Sequence, residues 1–261
     1  MKSSIVLMYH RVGAIASTFE RKYCVSPKVF ESHMKRLAAM GMRAVAIDDY
    51  VDWLEGSAEL PDGAFLLTFD DGFLGVYEHA YPLLLELGWP ATVFLVSALV
   101  GKQDEWSKTE NPSGVCYPLL DRDHIEEMQK QGFSFHSHTR HHKDLTSLAE
   151  DALDDQLVGS KQELESILGC KVRYLAYPYG LTDARVQEAT RTAGYRSAFS
   201  VQPGFNRRGN TDMFHIRRLD VFGSDSAAAL ARKVRFGTND GSLKTTIRYY
   251  ASRVVTRLGG R

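Results

Sequence analysis

The stretch AFLLTFDDG, residues 64 to 72, runs six uncharged residues straight into two adjacent carboxylates and a glycine. An apolar run of that length reads as a strand covered on both faces, the kind that parallel sheets are built from. Asp70 and Asp71 then fall at the strand's carboxyl end. Two carboxylates buried side by side raise each other's pKa unless a cation sits between them. An isolated Asp-Asp-Gly is ordinary turn chemistry, so the pair gains meaning only from what the rest of the chain brings to it.

Outward from this strand, short apolar runs alternate with helical patterns. SIVLMY (4–9), RAVAI (43–47), ATVFLV (91–96), FSFHSH (133–138), VRYLAY (172–177) and YRSAFSV (195–201) read as further strands. Between them, Ser26 is a predicted N-cap with Pro27 in the first turn and Gly41 past the end. Asp48 is a predicted cap for the next short helix. Helices are also expected over 77–88, 121–132, 146–168 and 183–194. Repeated strand–helix units without a strong linker predict one α/β domain, and about eight strands over this length suit a barrel of parallel strands. Residues 101 to 120, around GKQDEWSKTENPSGVCYP, are the one long irregular insertion.

Bulk properties exclude several classes. Thirty-two basic and thirty-two acidic side chains cancel, so no overall field favours nucleic acid. Cys24, Cys116 and Cys170 are odd in number and far apart, which argues against a disulfide framework or a zinc knuckle. The apolar run Ile5–Tyr9 is too short for a signal peptide, and no segment approaches a membrane span. The expected location is the cytoplasm. The last residues, 241–261, carry Lys244, Arg248, Arg253, Arg257 and Arg261, with Ile247, Ala251, Val254, Val255 and Leu258 as an opposing stripe. Such a basic amphipathic tail is a candidate for peripheral contact with the inner face of the membrane. A helix packed on the domain reads equally well.

In parallel α/β domains, sites assemble at the carboxyl ends of strands. Four polar features fall there: His10, Asp70-Asp71, the cluster HSHTRHH (136–142) and YPYG (177–180). His138 and His142 are four apart, so a helical turn or tight loop aims both imidazoles at one point. His136 shares a face with His138 in an extended strand, and His141 is a further candidate. A divalent metal held by two histidines and one aspartate would neutralise one carboxylate and leave the other free as a base.

TFDDG, HTRHHKDL and YPYG, in this order, resemble the first three motifs of the polysaccharide deacetylases, carbohydrate esterase family 4. The resemblance covers about residues 5 to 220 and implies a distorted (β/α) barrel of about seven parallel strands, with residues 1–240 as the catalytic domain. It implies Asp70 as general base, Asp71, His138 and His142 as metal ligands, and the Tyr179 N–H in an oxyanion site. The family's general acid is a histidine after a short apolar strand, usually near the C-terminus. IVLMYH matches it at the N-terminus, an order known in the branch resembling poly-N-acetylglucosamine deacetylases, so His10 is the expected acid and His215, in MFHIRRL, its competitor.

The family's third motif commonly carries an arginine that holds the catalytic aspartate, where this chain has Ala176 and Tyr177. Arg218, in HIRRLDV, is the candidate to replace it. Tyr177, Trp106 and Arg218 are the candidate substrate contacts, with Trp106 placed to stack on a sugar and Trp53 and Trp89 assigned to the core. The implied reaction is hydrolysis of an N-acetyl group from an amino sugar of a glycan or lipid-linked precursor, with zinc as the expected metal. A deformylase, an O-deacetylase or a non-catalytic carbohydrate-binding protein would use the same scaffold.

Overall fold

The computed structural model describes residues 3–244. The amphipathic tail expected over 241–261 therefore lies outside the described residues beyond Lys244. Eight parallel strands form the main sheet: β1 (Val6–Tyr9), β2 (Arg43–Ala44), β3 (Ala64–Phe69), β4 (Thr92–Leu95), β5 (Ser134–Ser137), β6 (Tyr174–Ala176), β7 (Ser197–Phe199) and β8 (Leu219–Asp220). The order around the sheet is β7-β6-β5-β4-β3-β1-β8, and the short β2 pairs only with β3. The segment leading into β8 hydrogen-bonds on both sides. Ile216 bridges to Phe199 of β7, while Leu219 and Asp220 pair with Leu7 and Met8 of β1. Seven strands thus curl into the distorted barrel expected from the sequence.

Helices cover the outside. The principal ones are α1 (Pro27–Ala39), α2 (Ile47–Glu55), α3 (Tyr81–Leu87), α4 (Arg122–Lys130), α5 (Ser160–Leu168), α6 (Ala184–Thr192) and α7 (Ala227–Phe236). Ser26 caps α1 as expected, its hydroxyl accepting from the Val29 N–H. Asp48 does not cap α2. Ala46 holds the N-cap position, and the Asp48 carboxylate instead takes the Tyr174 hydroxyl and pairs with Arg173 at 3.1 Å. The helix expected over 146–168 is broken into a turn at Leu145–Ser147 and a helix from Glu150 that widens into a π turn at Asp155–Gly159 before α5.

The two faces of each strand separate two cores. Leu7, Tyr9, Leu67, Phe69, Val93, Leu95, Phe135, Leu175 and Ala198 pack outward against the helices. Val6, Leu66, Phe94, Tyr174, Ala176 and Phe199 fill the barrel interior. Period-two alternation then settles what stands at the top. Val6 leads to Met8 and His10, and Leu66 to Thr68 and Asp70. His136 leads to His138. The interior face of three different strands therefore ends in polar, titratable side chains.

Candidate active site

The site lies in a cavity of about 300 Å³ at the carboxyl ends of the strands, lined by His10, Asp70, Asp71, His138, His142, Trp106 and Tyr179 among others. Among the described residues, four besides glycines have φ in the left-handed region: Asp71 (+73°), Thr139 (+67°), His142 (+55°) and Tyr179 (+58°). All four sit at this site. That conformation is costly for a β-branched or bulky residue and persists only where the surroundings enforce it. The turn at Asp71 and Gly72 (φ +80°) swings the second carboxylate sideways from the first; a Cβ at Gly72 would come within 2.6 Å of Leu95. The turn at Thr139 brings His142 back over His138, and the Thr139 hydroxyl accepts from the His142 N–H at 3.2 Å.

The two aspartates have separate environments. Asp70 is buried and grips Arg218 through two parallel hydrogen bonds, Nη1–Oδ1 at 2.6 Å and Nη2–Oδ2 at 2.8 Å. Arg218 has no exposed surface; its Nε donates to the Ser200 carbonyl inside the barrel. Burial alone would raise the Asp70 carboxyl, but the Arg218 guanidinium, with His138, more than reverses this and holds it at about 2. Asp71 shows the opposite. Burial, then Asp70, then Asp104 and Glu110 drive its carboxyl well above the ordinary range.

Asp71 Oδ1 lies 3.4 Å from Nε2 of both His138 and His142, and it is a buried atom without a hydrogen-bond partner among the described residues. His138 donates Nδ1–H to the Ala176 carbonyl at 2.8 Å, which turns the Nε2 lone pair toward Asp71. Burial lowers the pKa of both imidazoles, so both present lone pairs at neutral pH. One donor atom from each of the three residues falls within 4.8 Å of the others. Ligands about 2.0–2.2 Å from a tetrahedral zinc stand about 3.4 Å from one another. An orphaned carboxylate oxygen, two neutral imidazoles and that spacing fit a divalent cation. They do not fit a hydrogen-bonded triad.

The remaining expected residues are distributed unevenly. His10 is half-buried on the cavity wall, edge-on to Tyr23 with ring centroids 5.3 Å apart, and burial lowers it to about 4 against the pull of Asp70. His215 is outside the cavity lining, bonded to Gln202 Oε1 at 3.1 Å. His136 lies one step deeper than His138 on the interior face, against Tyr174, and His141 is exposed and bonded to Gln156. Trp106 lies over the His142 ring, with centroids 4.3 Å apart. Tyr177 and Arg218 were expected on the substrate surface. Tyr177 borders the cavity but has no exposed surface, its hydroxyl donating to the Phe214 carbonyl, while Arg218 is fully buried behind Asp70. The sequence reading missed Glu20, a buried carboxylate that accepts from Arg11, Tyr117, Asn111 and the Ala16 N–H. Its own signal, one glutamate in an irregular segment, was indistinguishable from surface charge.

Known proteins resemble this chain over most of its length. Residues 57–198 match the polysaccharide deacetylase family model. The protein YxkH of Bacillus subtilis (strain 168) is 26% identical over 224 residues, 86% of this chain and 73% of that protein. A poly-beta-1,6-N-acetyl-D-glucosamine N-deacetylase of Staphylococcus aureus (strain MRSA252) is 26% identical over 220 residues, 77% of this chain and 72% of that protein. Among solved structures, IcaB from Ammonifex degensii is 28% identical with a TM-score of 0.71, covering 84% of this chain and 91% of that one. The fold, the motif order and the matched span, more than half of the chain, place this protein in the polysaccharide deacetylase family, hydrolases that act on amide C–N bonds.

Proposed function

We propose that this chain is a metal-dependent N-deacetylase of an N-acetylated amino sugar in a glycan or glycan precursor. The observation that carries the reading is the division of labour between neighbouring carboxylates, one bound to arginine and one facing two neutral imidazoles. Asp71, His138 and His142 would hold the metal, with zinc the expected ion for this donor set. When bound, it would supply Lewis-acid polarisation of the acetyl carbonyl and a water of lowered pKa.

The protein's own groups account for the proton movements. Asp70, ionised throughout the physiological range, takes a proton from the attacking water on one of its carboxylate oxygens. Arg218 fixes the plane of that carboxylate and keeps it from turning toward Asp71. The Tyr179 backbone N–H, presented by the left-handed turn in YPYG, faces the developing oxyanion. His10 delivers a proton to the departing nitrogen. In the resting protein His10 is neutral, so the proton it delivers is the one Asp70 has taken from the water, and Asp70 is back in its carboxylate form once the amine has left.

Incubation with N-acetyl, N-formyl and O-acetyl sugars separates the readings. Release of acetate from N-acetylglucosamine oligosaccharides, at least about tenfold faster than acetate from O-acetyl sugars or formate from N-formyl sugars, is the expected result. No acid from any of them, in protein carrying one metal per chain, would remove the enzymatic reading. His10→Ala is expected to lower kcat on an amide by about 10²–10⁴-fold. It should act far less on an activated ester, whose leaving group needs no acid. His215→Ala should change neither. A His215→Ala variant as impaired as His10→Ala would move the acid to the other histidine.

A further inference from the structure

The irregular insertion does more than wall the cavity; it bridges most of the rim. Residues 101–120 leave the barrel above β4 and are fastened at their base to the Asp71 turn, with the Leu120 N–H donating to the Gly72 carbonyl and the Leu74 N–H to that of Pro118. From there they tie to three other strand ends. On the β1 side, Tyr117 and Asn111 donate to the buried Glu20. Glu20 also holds Arg11 at 2.7 Å, and the Arg11 guanidinium lies 3.6 Å from the centre of the Tyr117 ring. Above β5, Trp106 covers His142. Beyond β6, the Tyr179 hydroxyl donates to Glu110.

In ring order these attachments span β1, β3, β4, β5 and β6. The arc without a strap runs over β7 and β8, where Val201, Asp220, Lys22 and Tyr23 form the edge. A glycan bound in mid-chain needs an entrance and an exit on opposite sides of the reacting unit. The strap leaves one arc of this rim untied, and the cavity's volume of about 300 Å³ is at the small end of ligand pockets.

We propose that the insertion makes the site a dead-end pocket, so that the enzyme deacetylates the terminal N-acetylated unit of its substrate and not internal units of a polymer. The proposal rests on the deacetylase reading and specifies its substrate. Arg11, Glu20 and Tyr117 act as positioning residues, holding the strap through one buried carboxylate. Glu110, exposed, is the outer latch.

The metal-loaded protein is incubated with di- and pentasaccharides of β-1,6- and β-1,4-linked N-acetylglucosamine. Acetate is measured, and the free amine is located by fragmentation mass spectrometry. The expected product carries its first free amine at a chain end, with kcat/KM on the two lengths within about threefold. Glu110→Ala should place amines at internal units of the pentasaccharide. Tyr117→Phe, which keeps the ring on Arg11, should do so more weakly. Internal amines from the unaltered protein, or a rate rising about tenfold or more with length, would overturn the pocket while leaving deacetylation intact. Acetate from no saccharide would overturn both.

Discussion

Replacing Arg218 with methionine is expected to cost this protein both its activity and a large share of its stability. The guanidinium is fully buried and bidentate on Asp70. Removing one partner of such a pair leaves an uncompensated buried charge, at a cost of about 3–5 kcal/mol. The pH dependence carries the specific signature. In the native protein the Asp70 carboxyl is depressed to about 2. Its stabilising contribution is therefore complete above the unfolded-state value and is lost only as pH falls toward 2. Without Arg218, burial dominates and the carboxyl rises above its ordinary value. The sign then reverses, and this group's contribution declines as pH rises through the new value. Thermal unfolding between pH 3 and 7 should show a deficit in Arg218→Met that widens with pH. The acid limb of its residual activity should move upward. Arg218→Lys keeps the charge but not the two parallel bonds, and should recover part of the stability and little of the rate. A pH-independent deficit would mean that Arg218 contributes packing alone.

The second large effect is expected at the donor triad. His138→Ala and Asp71→Asn should each abolish stoichiometric metal binding and reduce acetate release by on the order of 10³-fold or more, since both the water's activation and the oxyanion's stabilisation depend on it. Asp71→Asn is nearly isosteric and removes the charge of a buried carboxylate whose Oδ1 has no hydrogen-bond partner among the described residues. The metal-free variant should therefore be no less heat-stable than the metal-free native protein. His136→Ala, one step below on the same strand face, should keep its metal. Loss of metal there, or its retention in Asp71→Asn, would redraw the site.

Much of this arrangement is legible from residue types and spacing. AFLLTF announces a doubly covered strand, and alternation along it places Asp70 on the interior face. The same rule aligns His10 and His138 with it. Arg218 was named from the sequence as the replacement for the absent third-motif arginine, although the two-residue strand that follows it, Leu219–Asp220, was not among the expected strands. What periodicity cannot express is backbone handedness. Nothing in DDG, HTRHH or YPYG declares that Asp71, Thr139, His142 and Tyr179 all adopt positive φ. Those four turns aim the second carboxylate, the second imidazole and the Tyr179 N–H. Asp48 failed as a cap because Tyr174 and Arg173, 125 residues or more away in sequence, compete for its carboxylate. The strap was visible only as an insertion without a pattern. Its ties run through Glu20, Glu110 and Tyr117 to partners distant in the chain.

The central claim is that Asp70 and Asp71, adjacent in sequence, do different work. Measuring metal content and acetate release on the same preparations of the native protein and Asp70→Asn tests it most directly. The expected result is about one zinc per chain in both, with acetate release in the variant lower by about 10²–10⁴-fold, the range for losing a general base. Metal lost with Asp70, or acetate released at the native rate without its carboxylate, would contradict the assignment.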